Sequence, residues 1–403
     1  MGDGGIAAPR DIAVAGCGPA GLAAALPLAR DGHRVTVFER FDAPVPIGSG
    51  LMIQPTGLAV LRGLGLADVL IARSARIERL FGTANGRVVL DVGYDTLAQP
   101  GLCGFGVHRA TLFAILHEAV FAAGIPLETG RMIVGSELVS GDRRRLTFAD
   151  GRSSERFDLI VDALGTRTPL APPCGRALRY GALWASLRRV EGFAPDALEQ
   201  RYRRASTMAG VLPIGRPPGA EQEQAAFFWS IHADRVAEWR AAGLDAWKDG
   251  VRELWPATTP LLDQIDDPAQ LTFARYAHRT LPRPAETALI HIGDAWHSAS
   301  PQLGQGANMA LLDAHALAIG LRAADVDTGL AAAVAMRRRH VRLYQSLTAL
   351  FTPVYQSDSR ILPFVRDRLV GPLSGRWPAD RIQAAMVSGL IGRPLAPLAL
   401  TLA

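Results

Sequence analysis

The segment from Asp11 to Glu39 constrains the fold of this chain more than any other. It reads as a short apolar strand, a glycine-rich turn, a helix over about 19–30 and a second strand over 33–39. A strand, a helix and a further strand in this order form the opening unit of a doubly wound parallel sheet. The chain is therefore predicted to be an α/β protein.

The turn GCGPAG places Gly16, Gly18 and Gly21 between the strand and the helix. The first glycine permits the tight turn, the second lets a pyrophosphate approach the backbone, and the third lets the helix lie close to the sheet. Glu39 follows Gly21 by 18 residues, close to the spacing of an acid that binds a ribose. This carboxylate favours FAD or NAD over NADP, although the neighbouring Arg40 weakens that discrimination. The alternative is a purely structural glycine turn.

A second signature, GDAWHSASPQLGQGANMALL, occupies residues 293–312. Asp294 ends an apolar strand, the loop Pro301–Gly306 follows, and a helix begins near Ala307. A nicotinamide enzyme needs no second ribose-binding acid so late in the chain, whereas a permanently held flavin can use Asp294 for its ribityl hydroxyls. The first N–H groups of the helix would stabilise the negative charge of a reduced flavin. The two signatures together predict bound FAD, with Asn308 either at the cofactor or capping the helix.

These motifs resemble those of the para-hydroxybenzoate-hydroxylase-like, single-component FAD-dependent aromatic monooxygenases, over roughly residues 10–330. Arg109, in VHRATLFAIL, resembles the arginine that opens a helix and contacts the FAD phosphates in that family. The predicted cofactor-binding residues are Gly16, Gly18, Pro19, Ala20, Gly21, Glu39, Arg40, Arg109, Asp294, Pro301, Gly304, Gly306, Ala307 and Asn308.

The resemblance implies a Rossmann-like FAD-binding domain of the glutathione-reductase type. In that family reduced flavin captures O2 as a flavin hydroperoxide, which transfers one oxygen atom to an electron-rich aromatic or polyketide-like small molecule. NADH or NADPH is the expected transient reductant. The protein has to bury the flavin, exclude water and hold the ring, so no nucleophilic side chain and no metal is needed, and the sequence identifies no catalytic base.

One position departs from the family pattern. The family usually has an Asp-Gly pair after the strand over 157–162, which serves both FAD and the pyridine nucleotide. This chain reads DALGTRTPL, with Leu164 at the expected aspartate while Gly165 and Arg167 stay in place. Asp162 lies two residues earlier. Direct reduction by NAD(P)H is therefore in question.

The pattern of elements predicts a chain of three parts. An FAD-binding domain comprises 1–75, 104–175 and 286–330, a mainly antiparallel β-sheet substrate domain comprises 76–103 and 176–285, and a helical tail comprises 331–403. The tail is broken at Pro353, Pro363, Pro372 and Pro378. Apolar and aromatic side chains of the inserted sheet are the substrate-binding candidates; each could equally be core: Tyr180, Trp184, Met208 and Phe228.

Composition narrows the class of protein. The formal charge of +5 is carried almost wholly by arginine, in clusters without interleaved aromatic residues, which favours solvated faces over nucleic-acid binding. The three cysteines are widely spaced, and no apolar run is long enough for a signal peptide or a spanning helix, so a cytoplasmic protein is expected. The apolar end, 385–403, could contact a membrane or a partner, with docking on the protein's own surface as the default.

Three alternatives remain open. A flavin-dependent halogenase would need an active-site lysine and a Trp-x-Trp segment, but Lys248 is the only lysine and lies outside the flavin motifs. A flavin-linked dehydrogenase or reductase would share the fold without incorporating oxygen. A binding protein on a relic flavoprotein scaffold would purify without yellow colour.

Overall fold

The structure is a computed structural model that describes residues 8–43, 48–139, 141–322 and 325–402. The strands are β1 (Asp11–Ala15), β2 (Arg34–Phe38), β3 (Gly50–Ile53), β4 (Ala75–Ile77), β5 (Arg79–Ala84), β6 (Arg87–Gly93), β7 (Gly104–His108), β8 (Leu127–Glu128), β9 (Ile133–Val139), β10 (Arg143–Phe148), β11 (Leu159–Asp162), β12 (Arg176–Arg188), β13 (Ala197–Arg203), β14 (Thr207–Gly215), β15 (Gln224–His232), β16 (Thr272–Thr280), β17 (Ala285–Glu286), β18 (Leu289–His291) and β19 (His297–Ser298). The helices are α1 (Pro19–Arg30), α2 (Pro55–Leu64), α3 (Ala67–Arg73), α4 (Arg109–Ala122), α5 (Val236–Ala242), α6 (Leu244–Leu254), α7 (Thr259–Leu262), α8 (Gly306–Leu321), α9 (Val326–Tyr355), α10 (Ile361–Val365), α11 (Gly371–Ser374) and α12 (Ala379–Val387).

A mainly parallel sheet in the order β17-β18-β11-β1-β2-β8 forms the centre of the first layer. Strand β1 pairs in parallel with β2 and β11, and β11 pairs in parallel with β18. The strands β1 and β11 are buried along almost their whole length, which explains their continuous apolar sequences. The predicted βαβ opening unit is confirmed, and α1 begins and ends where the sequence predicted. Because these strands run in parallel, their carboxyl ends meet at one edge.

A larger sheet has the order β19-β16-β12-β15-β14-β13-β5-β6. Its neighbours are antiparallel except for the parallel pair β5 and β13. Asn85 and Gly86 both have positive φ, as the two-residue turn of the hairpin between β5 and β6 requires. One face packs on α5–α7 through Phe227 and Trp247, while the other face carries Trp184 and Phe228. Strands β3, β7 and β4 form a third sheet, and β9 and β10 form a separate hairpin.

The structure corrects the predicted breaks in the helical tail. Helix α9 runs through Pro353; the proline lies in the last turn, close to where the helix ends at Tyr355. Pro363 lies in the first turn of α10 and Pro372 in the first turn of α11, within one uninterrupted helical segment over 361–374, so neither of them breaks the tail. Helices α5–α7 cover one face of the sheet in the region 176–285. The three-part division of the chain stays a prediction, and β19 joins the larger sheet although 297–298 fell in the first part.

The apolar C-terminal end folds back onto the protein. Leu395 and Leu398 are buried in the main core, and the Leu398 carbonyl lies 3.2 Å from His315 Nε2 on α8. The default interpretation of 385–403 as self-docking is therefore confirmed for the residues described. Among those residues, no helix has both the length and the apolar character needed to cross a bilayer.

Candidate functional site

The glycine turn after β1 has the steric properties that its sequence predicted. Gly16 has φ +107°, and a Cβ there would lie 2.8 Å from the Ala163 carbonyl oxygen. A Cβ on Gly21 would lie 2.1 Å from the carbonyl oxygen of Gly16. By contrast, a Cβ on Gly18 would meet no protein atom within 4 Å, so the backbone there is open. Since α1 has no side-chain cap, its first N–H groups are available to an anion.

Glu39 is attached to this turn. Its Oε2 accepts a hydrogen bond from the backbone N–H of Cys17 at 3.1 Å, and its Oε1 accepts from Arg40 N at 2.8 Å and from Phe41 N at 3.2 Å. The carboxylate is thereby oriented at the end of β2, beside the turn. The Arg40 guanidinium is exposed and lies 4.5 Å from the Phe41 ring centre. Burial raises the pKa of the Cys17 thiol to about 12, so this cysteine is a packed thiol rather than a thiolate.

The two sequence signatures meet at the same edge of the sheet. Gly293 follows β18, has φ +56°, and a Cβ there would lie 3.2 Å from the Cβ of Ala20 in the first turn of α1. The helices that follow the signatures, α1 and α8, also pack against each other. Residues 16–21 and 293–294 therefore form one continuous surface although about 270 residues separate them along the chain.

Asp294 belongs to this surface. Its side chain is open to solvent, yet protein surrounds it on its other sides, and this burial raises the pKa of the carboxyl. The charges of Arg109 and His297 oppose the rise, while Asp313 adds to it. The Arg109 backbone N–H donates to the Ser49 carbonyl at 2.8 Å. Arg109 at the start of α4 thus contributes positive charge near Asp294.

The loop before α8 leaves backbone accessible. Pro301 begins a short 3₁₀ turn that ends at Gly304, which has φ +61°. A Cβ on Gly306 would meet nothing within 4 Å, and the N-terminus of α8 has no side-chain cap. The helix begins at Gly306, one residue before the predicted start. Its N–H groups are available to a negatively charged group, as the sequence predicted.

The structure places the Asn308 side chain inside the protein instead of at the helix cap. Its Oδ1 accepts from Gln54 N at 2.8 Å, and its Nδ2 donates to the carbonyls of Met52 at 3.1 Å and Gly304 at 3.0 Å. The residue is fully buried. Asn308 therefore ties the loop before α8 to the end of β3. Its side chain positions this loop and does not face the cleft.

A buried charged network beneath Gly293 was not predicted from the sequence. Asp313 Oδ2 accepts from Gly293 N at 3.0 Å and lies 2.6 Å from His297 Nε2, while Oδ1 accepts from Arg337 Nε at 2.8 Å. Burial by itself raises the Asp313 pKa, but His297 and Arg337 outweigh it and lower this pKa to about 2. Burial and the adjacent Arg337 lower the pKa of His340 to about 3. His340 is therefore neutral and accepts from Arg337 Nη1 at 3.0 Å.

Comparison with known proteins decides the family. The FAD binding domain family matches residues 10–139 and 190–342, which is more than half of the chain. The chain belongs to this family. It is 28% identical over 324 residues to the 3-amino-4-hydroxybenzoate 2-monooxygenase of Streptomyces cremeus, covering 75% of this chain and 76% of that enzyme. It is 25% identical over 407 residues to the aurachin C monooxygenase/isomerase of Stigmatella aurantiaca, covering 95% and 98%.

A solved structure shows the same fold. HpxO of Klebsiella pneumoniae, complexed with FAD and uric acid, superposes with a TM-score of 0.78 at 19% identity, over 96% of this chain and 98% of that chain. The predicted resemblance to FAD-dependent aromatic monooxygenases is confirmed by the family match and these relatives. The FAD cofactor is confirmed as well.

The described residues fit FAD. The open backbone at Gly18 and the uncapped start of α1 suit a pyrophosphate, and Glu39 is oriented beside them as a ribose ligand. Asp294 offers a solvent-accessible carboxylate on the continuous surface. The open backbone at Gly306 suits a flat ring system that approaches the start of α8.

At Leu164 this chain departs from the family pattern, and the carboxylate of Asp162 does not replace the missing aspartate. The Asp162 side chain is fully buried; its Oδ2 lies 2.6 Å from His291 Nδ1 and accepts from Thr168 Oγ1 at 2.6 Å. Its Oδ1 accepts from Leu164 N at 3.0 Å. Leu164 itself is half-buried against an apolar cluster that includes Phe38. The turn after β11 therefore presents an apolar side chain where the family usually has a carboxylate.

Three of the four substrate candidates lie together on the face of the larger sheet opposite α5–α7, which we call the inner face. The rings of Trp184 and Phe228 stack with centres 4.5 Å apart, and Met208 belongs to the same cluster. Trp184 Nε1 donates to the Tyr276 hydroxyl at 3.0 Å, and both of these residues are half-buried. Tyr180 is separate: its hydroxyl donates to Asp358. Tyr276 was not singled out from the sequence, because nothing in the segment TFARYAHRT distinguishes its tyrosine from an ordinary strand residue.

Proposed function

We propose that this FAD-dependent monooxygenase inserts one oxygen atom from O2 into an electron-rich aromatic small molecule, held between the flavin and the inner face of the larger sheet. The observation that carries the proposal is the close approach of the two signatures at Gly293 and Ala20, which makes one surface from separate segments. The aromatic character of the inner face, with Trp184 on Phe228, supports an aromatic ligand.

Each segment would hold a different part of the cofactor. The turn 16–21 and the start of α1 would bind the pyrophosphate, Glu39 the adenosine ribose, Arg109 a phosphate and Asp294 the ribityl hydroxyls. The loop 301–306 and the start of α8 would lie at the flavin ring. Bound FAD supplies the activation of O2, while the described residues bind, orient and exclude water. The positive end of the α8 dipole would favour negative charge at the ring.

Paired glycine variants separate cofactor contact from folding. Gly18→Ala is expected to weaken FAD binding and to change the free energy of unfolding of the apoprotein by no more than about 1 kcal/mol, because its Cβ would meet no protein atom. Gly21→Ala is expected to weaken FAD binding and also to lower the free energy of unfolding of the apoprotein by about 1–3 kcal/mol, because its Cβ would collide with the Gly16 carbonyl. Denaturant unfolding and fluorescence titration with FAD measure both. Undiminished FAD affinity in Gly18→Ala would exclude a pyrophosphate at this turn.

Replacing one tryptophan on each side of the larger sheet tests whether the substrate binds at the inner face. Trp184→Ala is expected to raise the KM for an aromatic substrate by about tenfold or more and to leave the flavin content unchanged. Trp229→Ala is the matched control, because Trp229 is also half-buried but packs against the α5–α7 side. Steady-state kinetics with both variants measure the difference. Equal KM changes would place the substrate elsewhere.

Isotope incorporation tests the reaction itself. The purified protein, reduced and supplied with ¹⁸O2 and candidate phenols or anilines, is expected to yield product that carries one ¹⁸O atom. A flavin-linked dehydrogenase would give oxidised product without the label. Colourless protein that binds these ligands without turnover would favour the relic-scaffold alternative.

Leu164 supports a second proposal, which concerns how the flavin is reduced. Because the apolar Leu164 and the buried Asp162 leave no accessible carboxylate after β11, we propose that NADH and NADPH reduce this enzyme slowly and that another donor supplies electrons. Anaerobic mixing of the yellow protein with either nucleotide, with and without an aromatic ligand, measures the rate of bleaching. Persistent colour is expected, and rapid bleaching would restore the ordinary pyridine-nucleotide role.

A further inference from the structure

The segment after α9 exposes an unusual row of large apolar side chains. Ile361 is 74% exposed, Leu369 is 61% exposed and Trp377 is 76% exposed. We call the row the C-terminal apolar face; its members are Ile361, Phe364, Val365, Leu369, Leu373, Trp377 and Ile382. A contiguous exposed apolar patch of this kind marks a surface for a membrane or a partner.

The geometry of the segment keeps four of these side chains on one side. Helix α10, a π-helical turn over 366–370 and α11 follow one another without a break. In an α-helix a spacing of four residues drifts by about 40° per step, and the wider π turn drifts in the opposite sense, so the row 361, 365, 369, 373 stays aligned.

The opposite side of this segment is the buried one, and it contains polar groups. Arg366 is fully buried, with its guanidinium 4.8 Å from the Tyr202 ring centre and 5.4 Å from that of Tyr355. Ser374 is buried, and a Cβ on Gly371 would lie 2.5 Å from the Val88 carbonyl. These contacts prevent the segment from rotating to bury its leucines. Its polarity is therefore inverted relative to a surface helix of a soluble domain.

The charges around the face are mainly positive. Arg368 and Arg376 form no ion pair with the described residues and, with Arg87, line a groove between this segment and β6. Three nearby acids are paired with arginines: Asp91 with Arg79 at 2.7 Å, Asp367 with Arg366 at 2.8 Å and Asp358 with Arg179 at 3.3 Å. Asp380 is the nearby acid that forms no ion pair with the described residues. Arg360 and Arg381 add further positive charge at the two ends.

We propose that the C-terminal apolar face docks on the surface of an anionic lipid bilayer, with its leucines and Trp377 in the interface and its arginines at the headgroups. Apolar residues flanked by arginine and tryptophan are the pattern of interfacial membrane binding. A second copy of the chain fits less well, because a two-fold interface would bring Arg368 and Arg376 of both copies together, with Asp380 as the nearby acid left to offset them.

Vesicle sedimentation of the flavin-loaded protein tests the proposal. The protein is expected to pellet with vesicles of phosphatidylcholine and phosphatidylglycerol and to stay in solution with phosphatidylcholine alone or at high salt. The variant Ile361→Ser/Leu369→Ser/Leu373→Ser is expected to lower the bound fraction by roughly tenfold or more. The variant Arg368→Gln/Arg376→Gln should remove the preference for the anionic lipid.

Matched controls keep the result interpretable. Phe121→Ser/Leu138→Ser removes exposed apolar side chains elsewhere, and Arg240→Gln/Arg339→Gln removes exposed arginines elsewhere; both should bind vesicles like the parent protein. Flavin content verifies the fold of every variant. Failure of the parent protein to bind anionic vesicles would overturn the proposal. So would a dimer in light scattering that the serine variant dissociates, because the face would then belong to a second copy.

Discussion

The Asp294→Ala protein is expected to fold and to purify almost without yellow colour. Burial raises the pKa of this carboxyl, so the folded state disfavours its charge, and the contribution of Asp294 to stability falls as the pH rises through its folded pKa. Removing it should therefore leave the unfolding free energy of the apoprotein at neutral pH unchanged or higher. The loss should appear in cofactor binding alone, since Asp294 is the accessible carboxylate of the second signature.

Flavin-to-protein absorbance ratios, circular dichroism and denaturant unfolding of the apoprotein measure these effects. Asp327→Ala removes an exposed carboxylate from the first turn of α9 and serves as the matched control, with full flavin expected. Asp294→Asn separates shape from charge and should retain part of the flavin. Full occupancy in Asp294→Ala would remove this residue from the cofactor site.

The second large effect is expected from Arg337→Met. The substitution leaves the Asp313 carboxylate buried without its guanidinium partner, which costs about 3–5 kcal/mol when a buried pair is broken. Flavin affinity should fall as well, because Asp313 holds the backbone of Gly293 at 3.0 Å. Arg338→Met makes the same change on the next residue of α9, which is only half-buried, and should cost less than about 1 kcal/mol.

The lowered pKa of Asp313 predicts how the stability difference between the parent protein and Arg337→Met depends on pH. The Asp313 pKa is lowered from 3.8 to about 2, so its stabilising contribution is complete above pH 3.8 and is lost as the pH falls toward 2. The stability gap between the parent protein and Arg337→Met should therefore be full at neutral pH and narrow below about pH 4. Asp313→Asn/Arg337→Met should recover part of the loss. A gap that does not depend on pH, with no recovery in the double variant, would mean that the loss arises from packing.

The sequence predicted the parts of the fold that depend on local patterns. The strand, glycine turn and helix of 11–30 were placed correctly because glycine sterics and apolar periodicity act within a few residues. The apolar strand before Asp294 was recognisable for the same reason. Pro353 misled the prediction, because a proline close to the end of a helix does not break it.

The interactions that sequence reasoning missed depend on long-range contacts. Asp313 and Arg337 lie on different helices, and only their occurrence in helices with buried apolar faces could have signalled a buried pair. The side chain of Asn308 was assigned to the cofactor or the helix cap, but β3 supplies its partners. The C-terminal apolar face has the spacing of an ordinary amphipathic helix, and this spacing does not indicate which side of the helix faces inward.

A crystal structure of the yellow protein tests the central claim most directly, namely that two distant segments hold one FAD. It should place the adenosine half beside Glu39 and the turn 16–21, and the flavin ring beside the loop 301–306 and the start of α8. A flavin bound to only one of these segments, or bound elsewhere, would contradict the account.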